Sequence, residues 1–579
     1  MFRLFRYLKN YKKESVIGPL FKLIEACFEL AVPVVMKKII DVGIVNEDMG
    51  YILRMGGIMV LLGVLGLSCS LTAQFFAAKA SVGFGTALRT DLMRHINKLS
   101  YSEIDSIGSS TLVTRMTADI NTAQSGVNIL LRLLLRSPFI VIGAVIMAFT
   151  FSVKLTLIFL IAAPCLAFVI YRIMSLTIPR YKHIRKTLDR TNLLTSEALS
   201  GARVIRAFSR QEDEEREFRK VNEELTVLQL AAGKISALMN PMTYVIVNIA
   251  ITALIWFGGR AVLVGSISQG DMVALINYMN QILLALLAMA ILVTNITKMQ
   301  ASAIRINDVF DVKPSVTDEG NSEVKADDSA PAVEFRNVSF AYSGSEEQAL
   351  SDISFTVNRG ETVGIIGGTG SGKSSVINLI PRFYDVSSGQ VLVDGTDVKK
   401  YPFKQLRHKI GIVPQRAVLF KGTIRDNLKW RDKSASDDEI IKALKLAQAY
   451  DFVMEKPSGL DEQIVRDGKN LSGGQRQRLT IARAFIGSPE IVILDDSASA
   501  LDLATDARLR KAIADETDGI TVFIVSQRIS SIKNVDKIIV MDDGRVSGIG
   551  THSELFNNCE VYKEICLSQL SDEEVKNIG

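Results

Sequence analysis

Up to about residue 310 the chain is built from long apolar stretches, near 15–40, 53–80, 128–150, 153–177, 237–264 and 271–298, separated by polar intervals. Each reaches the roughly 20 residues that an α-helix needs to cross a bilayer, so the pattern predicts six spanning helices. The two longest intervals, 81–127 and 178–236, are polar but keep a helical pattern almost free of Pro and Gly clusters. They predict extensions of the spanning helices into the aqueous phase. Further along, the apolar runs shorten to strand length, as at 362–366 and 491–495, the pattern of a soluble α/β domain.

Before the first apolar stretch, Leu4, Phe5, Leu8 and Tyr11 share one helical face and Arg3, Arg6, Lys9 and Lys13 another. This predicts an amphipathic helix over 1–14 lying on the membrane surface. Arg3, Arg6, Lys9, Lys12 and Lys13 precede the first stretch, whereas the following loop carries Asp41, Glu47 and Asp48 without Lys or Arg. The positive-inside rule then puts the N-terminus in the cytoplasm, together with Arg180, Lys182, Arg185, Lys186 and Arg190 in the second long interval. Lys22, Glu25 and Glu29 interrupt the first stretch, which argues against a cleavable secretory signal. On a helix these three fall within about 60° of one another, so they either line an interior pathway or pair with each other and a neighbouring helix. Asn277, Asn280 and Gln281 in the sixth stretch carry the same two readings.

Composition agrees with a split chain. The 579 residues exceed one domain, and 48% are apolar although the C-terminal part has ordinary soluble composition. The net charge of +5 fits basic residues flanking membrane helices and gives no reason to expect nucleic-acid binding. Cys27, Cys69, Cys165, Cys559 and Cys566 have no metal-ligand spacing and read as free thiols, and the four histidines are scattered.

Chemistry concentrates in the C-terminal part. Gly367-Gly368-Thr369-Gly370-Ser371-Gly372-Lys373-Ser374, followed by Ser375, fits G-x-x-x-x-G-K-[ST] directly after the apolar run 362–366. Such a loop aims backbone N–H groups at phosphate oxygens, with Lys373 reaching the β- and γ-phosphates, the Ser374 hydroxyl on Mg2+, and the next helix offering its positive end. Then follow, in order, Gln415, Leu471-Ser472-Gly473-Gly474-Gln475, the run 491–495 ending in Asp495 and followed by Asp496, Ser499-Ala500-Leu501-Asp502, and Ser526-Gln527-Arg528.

This series resembles the ATP-binding cassette of ABC transporters over roughly 332–570, and the six stretches fused to it resemble the half-transporters of the ABC exporter family over essentially the whole chain. The resemblance implies an α-helical six-span transmembrane domain fused to an α/β P-loop ABC ATPase domain. Its parts would be an amphipathic elbow helix at 1–14, the transmembrane domain at 15–310, a linker at 311–331 rich in acidic and small residues, and the nucleotide-binding domain at 332–579. It further implies that Tyr342 stacks on adenine, that Asp495 holds Mg2+ indirectly, and that Ser374 and Gln415 serve the metal, Gln415 also sensing the attacking water. Short coupling helices would lie near 102–110 and 204–212, and Asp502 would belong to the D-loop.

In that family the residue after the Walker B aspartate is usually glutamate, which polarises the attacking water, and the later switch residue is usually histidine, which contacts the γ-phosphate. Here they are Asp496 and Gln527. Both departures strike the hydrolytic step, while the signature Leu471 to Gln475 is intact; only the preceding Val465-Arg466-Asp467-Gly468 lacks the usual glutamate. The family joins two cassettes head to tail, so a signature serves the partner's ATP. The resemblance therefore implies a membrane-embedded exporter of small amphipathic, multidrug-type molecules. This chain would hold ATP in a slow site and pair with a different half-transporter carrying the glutamate and histidine. A lipid or peptide exporter and an ATP-gated channel or sensor stay open as alternatives.

Overall fold

The computed structural model describes residues 3–318, 324, 327, 329–345, 347–497, 500–516 and 519–570. These divide into two compact units, residues 1–95 with 110–311, and residues 96–109 with 312–579.

The first unit is helical. Its main elements are α1 (Lys12–Lys38), α2 (Met49–Ile96), α4 (Ser109–Phe151), α5 (Val153–Ser200), α6 (Ala202–Ala207), α7 (Gln211–Leu263) and α8 (Gln269–Asp311), with α3 (Tyr101–Ile107) set apart in the second unit. Among the described residues, α2, α4, α5, α7 and α8 are long and apolar enough to cross a membrane. The stretch expected at 15–40 is helical as α1, but Lys22, Glu25 and Glu29 at its centre leave it outside that set. The apolar stretch 53–80 and most of the interval 81–127 divide between α2, which runs unbroken for 48 residues, and α4. Side chains from α1, α4, α5, α7 and α8 form one core around Phe159, Leu166, Leu254, Tyr278 and Ile282.

The three central ionisable groups of α1, Lys22, Glu25 and Glu29, are satisfied internally, as burial in an apolar medium demands. Lys22 Nζ lies 2.6 Å from Glu25 and 3.0 Å from the Ser70 hydroxyl of α2. Arg136 of α4 clamps both oxygens of Glu29, at 2.6 and 2.8 Å. Gln281 donates to the Glu29 carbonyl at 3.1 Å, and Asn277 to the Val273 carbonyl one turn back. Lys22, Glu25, Glu29 and Gln281 thus pair with one another or with a neighbouring helix, whereas Asn277 and Asn280 are exposed, Asn277 bonding only within α8.

Before α1, within the amphipathic helix expected over 1–14, the chain winds more tightly than an α-helix. Leu4–Tyr11 is a 3-10 helix with Leu4 buried, and Tyr11 (φ −122°, ψ 33°) ends it. Apolar spacing over eight residues does not separate the tighter 3-10 winding from an α-helix. Of the linker expected at 311–331, residues 319–323, 325–326 and 328 lie outside the described residues, as do Ser499 and 571–579.

The second unit contains two principal sheets. Its strands are β1 (Val333–Phe340), β2 (Leu350–Val357), β3 (Thr362–Gly367), β4 (Ser388–Val393), β5 (Thr396–Asp397), β6 (Ile410–Val413), β7 (Ile491–Asp495), β8 (Thr521–Val525), β9 (Lys537–Asp542) and β10 (Arg545–Gly550). Antiparallel β2-β1-β4-β5 faces a sheet ordered β10-β9-β3-β8-β7-β6, in which all neighbours but β10 and β9 run parallel. The near-continuous apolar runs of β3, β7 and β8, broken only at their ends by Thr362, Asp495 and Thr521, follow from burial on both faces. One core lies between the sheets, with Phe335 stacked on Phe355 at 4.5 Å, and a second lies under the helices on the other face. The helices used below are α9 (Lys373–Leu379), α10 (Gly473–Phe485), α11 (Leu503–Glu516), α12 (Ile529–Ile532) and α13 (Glu560–Gln569). Within this unit α3 rests on the α/β core, the Tyr101 ring 4.6 Å from Phe383 and 6.3 Å from Tyr384.

Candidate functional site

Parallel strands bring their C-terminal ends to one edge, the usual position for a ligand crevice in such sheets. Here the register aligns Val525 of β8 with Ile365 of β3 and with Asp495 of β7, so three loops emerge side by side. A cleft of about 340 Å³ opens there.

The loop from β3 to α9 forms its floor. Gly367 and Gly372 are required by close approach: a Cβ at Gly367 would stand 2.1 Å from the Met541 carbonyl, and one at Gly372 (φ +94°) 2.7 Å from Leu350. Thr369, Gly370, Gly372, Lys373, Ser374 and Ser375 line the cleft. Gly367, Gly368 and Ser371 sit behind them, where they hold Lys373: its ammonium donates to the Gly367 carbonyl at 2.9 Å, to the Gly368 carbonyl at 2.5 Å and to the Ser371 hydroxyl at 3.3 Å. Burial lowers the Lys373 pKa from its ordinary value, against the opposing pull of Asp496 and Asp495.

The acidic wall comes from the end of β7. Asp495 accepts from the Ser374 hydroxyl at 3.3 Å. Burial raises its pKa, and the charge of Asp496 adds to the rise while Ser374 and Lys373 oppose it. Asp496 follows in the left-handed region (φ 44°), its N–H bonded to the Val525 carbonyl at 2.9 Å. Gln415 and Gln527 line the same cleft. At the far side Tyr342 is 38% exposed, held edge-on by Phe340 and Tyr384 at 4.8 and 5.3 Å, with its hydroxyl 2.9 Å from Ser375. This leaves an aromatic surface at the cleft, not a core tyrosine.

The donor set fits a nucleotide with Mg2+. A desolvated ammonium at a helix start matches polyphosphate charge. Ser374 and Asp495 form a hydroxyl–carboxylate pair whose acid is held above its ordinary pKa by burial and a second carboxylate, a strain that a hard cation with oxygen preference relieves.

Two expected elements lie elsewhere. Leu471, Ser472, Gly473, Gly474 and Gln475 do not line the cleft. They form the start of α10, where Ser472 and Gln475 cap each other at 3.0 and 3.2 Å and nothing crowds Gly473. Asp502 likewise lies outside, accepting from the Thr505 N–H at 2.9 Å, and this bond with the Thr505 hydroxyl lowers its pKa. The turn before the signature carries Asp467 at φ 62° and an exposed Arg466.

The structure also adds Ala349, Val525 and Ser526 to the lining. Ser526 adjoins Gln527 and was within reach of the motif. Ala349 arrives from the loop before β2, with no chemical signal in its sequence.

Residues 15–286 match the family model described as the ABC transporter transmembrane region, and residues 350–499 the one described as ABC transporter. An uncharacterised ABC transporter ATP-binding protein of Mycobacterium tuberculosis is 36% identical over 99% of both chains. The chain belongs to the ABC transporter family. A candidate multidrug export ATP-binding/permease protein of Bacillus subtilis is 32% identical over 98% of both chains. An ATP-dependent lipid A-core flippase of Syntrophus aciditrophicus is 32% identical over 84% of this chain and 81% of its own. The fold matches a solved bacterial Atm1-family ABC exporter with ATP bound, at a TM-score of 0.80 and 23% identity, covering 97% of this chain and 99% of that one. The chain is thus an exporter-type half-transporter, a helical membrane domain fused to an ABC ATPase domain, and a multi-pass cell-membrane protein.

Proposed function

We propose that this half-transporter exports small amphipathic molecules as one half of a heterodimer, holding ATP in its own slow site and lending an intact signature to its partner's fast one. The observation that carries this reading is the convergence of Asp496 and Gln527 on the cleft that contains Lys373, Ser374 and Asp495. Both residues that would act on the attacking water and the γ-phosphate are altered, and the groups that would bind the nucleotide are all present.

In this reading Tyr342 stacks on adenine, and Lys373 with the N–H groups of 367–375 holds the phosphates. Ser374 and Gln415 take Mg2+, with Asp495 behind Ser374. Bound Mg2+ would neutralise phosphate charge during hydrolysis. The placement of Leu471 to Gln475 on α10, outside the cleft, supports their use in a second chain's site, with Asp502 at the same junction. Six spans are part of the proposal, with α1 crossing the bilayer as well, because the three ionisable residues at its centre are paired internally. So are the cytoplasmic placement of the N-terminus and the ATPase domain, the division at 1–14, 15–310, 311–331 and 332–579, and coupling roles for α3 and α6.

Export follows when ATP binds the closed pairing of cassettes better than the open one, since a ligand shifts an equilibrium only through its differential affinity. The Bacillus subtilis relative favours drug-like cargo and the Syntrophus relative favours lipid, both amphipathic. The test is to isolate the chain from its native membrane and identify what accompanies it. A second half-transporter with glutamate and histidine at the two altered positions supports the proposal. A dimer of identical chains refutes it.

A further inference from the structure

The switch residue Gln527 is exposed, on a loop between β8 and the single turn α12, and a side chain on such a loop is aimed only as well as its backbone is fixed. Three anchors hold this segment. The Ser526 N–H donates to the Ile365 carbonyl of β3 at 3.1 Å. From α11, Arg510 donates to the Ser530 carbonyl at 2.5 Å, and buried Asp506 accepts from the Ser531 hydroxyl at 3.3 Å. Both of those grip α12, beyond Gln527.

The third anchor comes from the last turn of α13, 42 positions along the chain, and it alone of the three touches the switch residue. The Gln569 side-chain amide donates to the Gln527 carbonyl at 2.7 Å and accepts from the Ile529 N–H at 3.0 Å. One planar group thereby closes a bridge across Gln527, Arg528 and Ile529. A primary amide suits this task because it offers a donor and an acceptor side by side; a carboxylate lacks the donor, and a methionine lacks the donor and has only a weak sulfur acceptor. The helix that presents it is seated firmly: Tyr562 and Cys566 are fully buried in the core under the sheet, and the Tyr562 hydroxyl meets His552 at 2.7 Å.

We infer that Gln569 is a positioning residue for the nucleotide site, fixing the backbone of Gln527 so that its side chain meets the γ-phosphate. The inference rests on the proposed γ-phosphate role of Gln527. Its consequence is selectivity. ADP has no γ-phosphate, so loosening Gln527 weakens ATP binding and spares ADP binding, whereas general damage to the domain weakens both.

The experiment measures equilibrium binding of Mg·ATP and Mg·ADP to the purified full-length chain in nanodiscs. Gln569→Met preserves side-chain length and removes both bonds; Gln569→Glu keeps the acceptor toward Ile529 and removes the donor toward Gln527. Ser568→Ala, at an exposed neighbour bonded only within its own helix, controls for disturbance of the helix end. Gln527→Ala tests the underlying reading. Loss of bonds of ordinary strength predicts that both Gln569 variants weaken ATP about 3- to 10-fold with ADP unchanged. Ser568→Ala should change neither. Selective loss in Gln527→Ala but not in the Gln569 variants overturns the inference alone. Equal weakening of ATP and ADP in the Gln569 variants also overturns it. If Gln527→Ala itself leaves the ATP-to-ADP ratio unchanged, the γ-phosphate role falls and takes the inference with it.

Discussion

Replacing Asp496 by Glu and Gln527 by His should turn a slow ATP site into a faster one. The backbone at Asp496 is fixed by its N–H bond to the Val525 carbonyl at 2.9 Å and by the parallel register of β7 and β8, so side-chain length alone sets how far its carboxylate reaches. One C–C bond is about 1.5 Å, which leaves the aspartate short of a glutamate's position by on the order of 1 Å. A misplacement of about 1 Å costs roughly a hundredfold in rate, or about 2.7 kcal/mol of barrier. Asp496→Glu with Gln527→His should therefore raise steady-state phosphate release by the purified chain about 10- to 100-fold. ATP affinity should change by less than about threefold, because a histidine can donate to the γ-phosphate as the glutamine does, while the longer carboxylate acts on the attacking water in the transition state. The assay pairs phosphate release with equilibrium ATP binding on the same preparation. An unchanged rate in a double variant that binds ATP normally would refute the reasoning from reach.

Lys373→Ala should weaken ATP binding by roughly 10- to 100-fold, the cost of removing a charge-assisted set of hydrogen bonds, as read by nucleotide competition. Tyr342→Ala should weaken ATP and ADP alike by about 5- to 100-fold if the ring stacks on adenine, whereas Tyr342→Phe, losing only the bond to Ser375, should cost about 3-fold; both are read in the same binding assay. In the membrane domain, Lys22→Leu leaves buried Glu25 only its longer 3.9 Å contact with Arg136 and should destabilise the protein by about 3 kcal/mol, while Lys22→Leu with Glu25→Leu should recover most of that loss; thermal inactivation in detergent compares them.

Much of this architecture was legible in the sequence because its demands are local. A bilayer imposes long apolar runs, and α2, α4, α5, α7 and α8 lie where such runs occur. A polyphosphate loop requires glycine where a backbone or side chain would collide with Cβ, as at Gly367 and Gly372. Short elements near 102–110 and 204–212 appear as α3 and α6 within a few residues, since the polar intervals must turn somewhere. What stayed hidden depends on distant partners. Nothing near Glu29 announces that Arg136 will clamp it. Ala349 reaches the cleft only because one sheet folds over the other, and Gln569 meets Gln527 only through the docking of α13. The 3-10 winding of Leu4–Tyr11 was invisible for another reason, that its apolar spacing serves either helix type.

The most direct test of a slow nucleotide site working beside a fast one is the rate of ATP hydrolysis by the purified wild-type chain, alone and after reconstitution with whatever chain accompanies it in the membrane. The account predicts tight ATP binding with little turnover alone, and a rate restored in the mixed complex that falls when Ser472 or Gly473 of this chain's signature is altered. Brisk hydrolysis and transport by two copies of this chain without any other would contradict it.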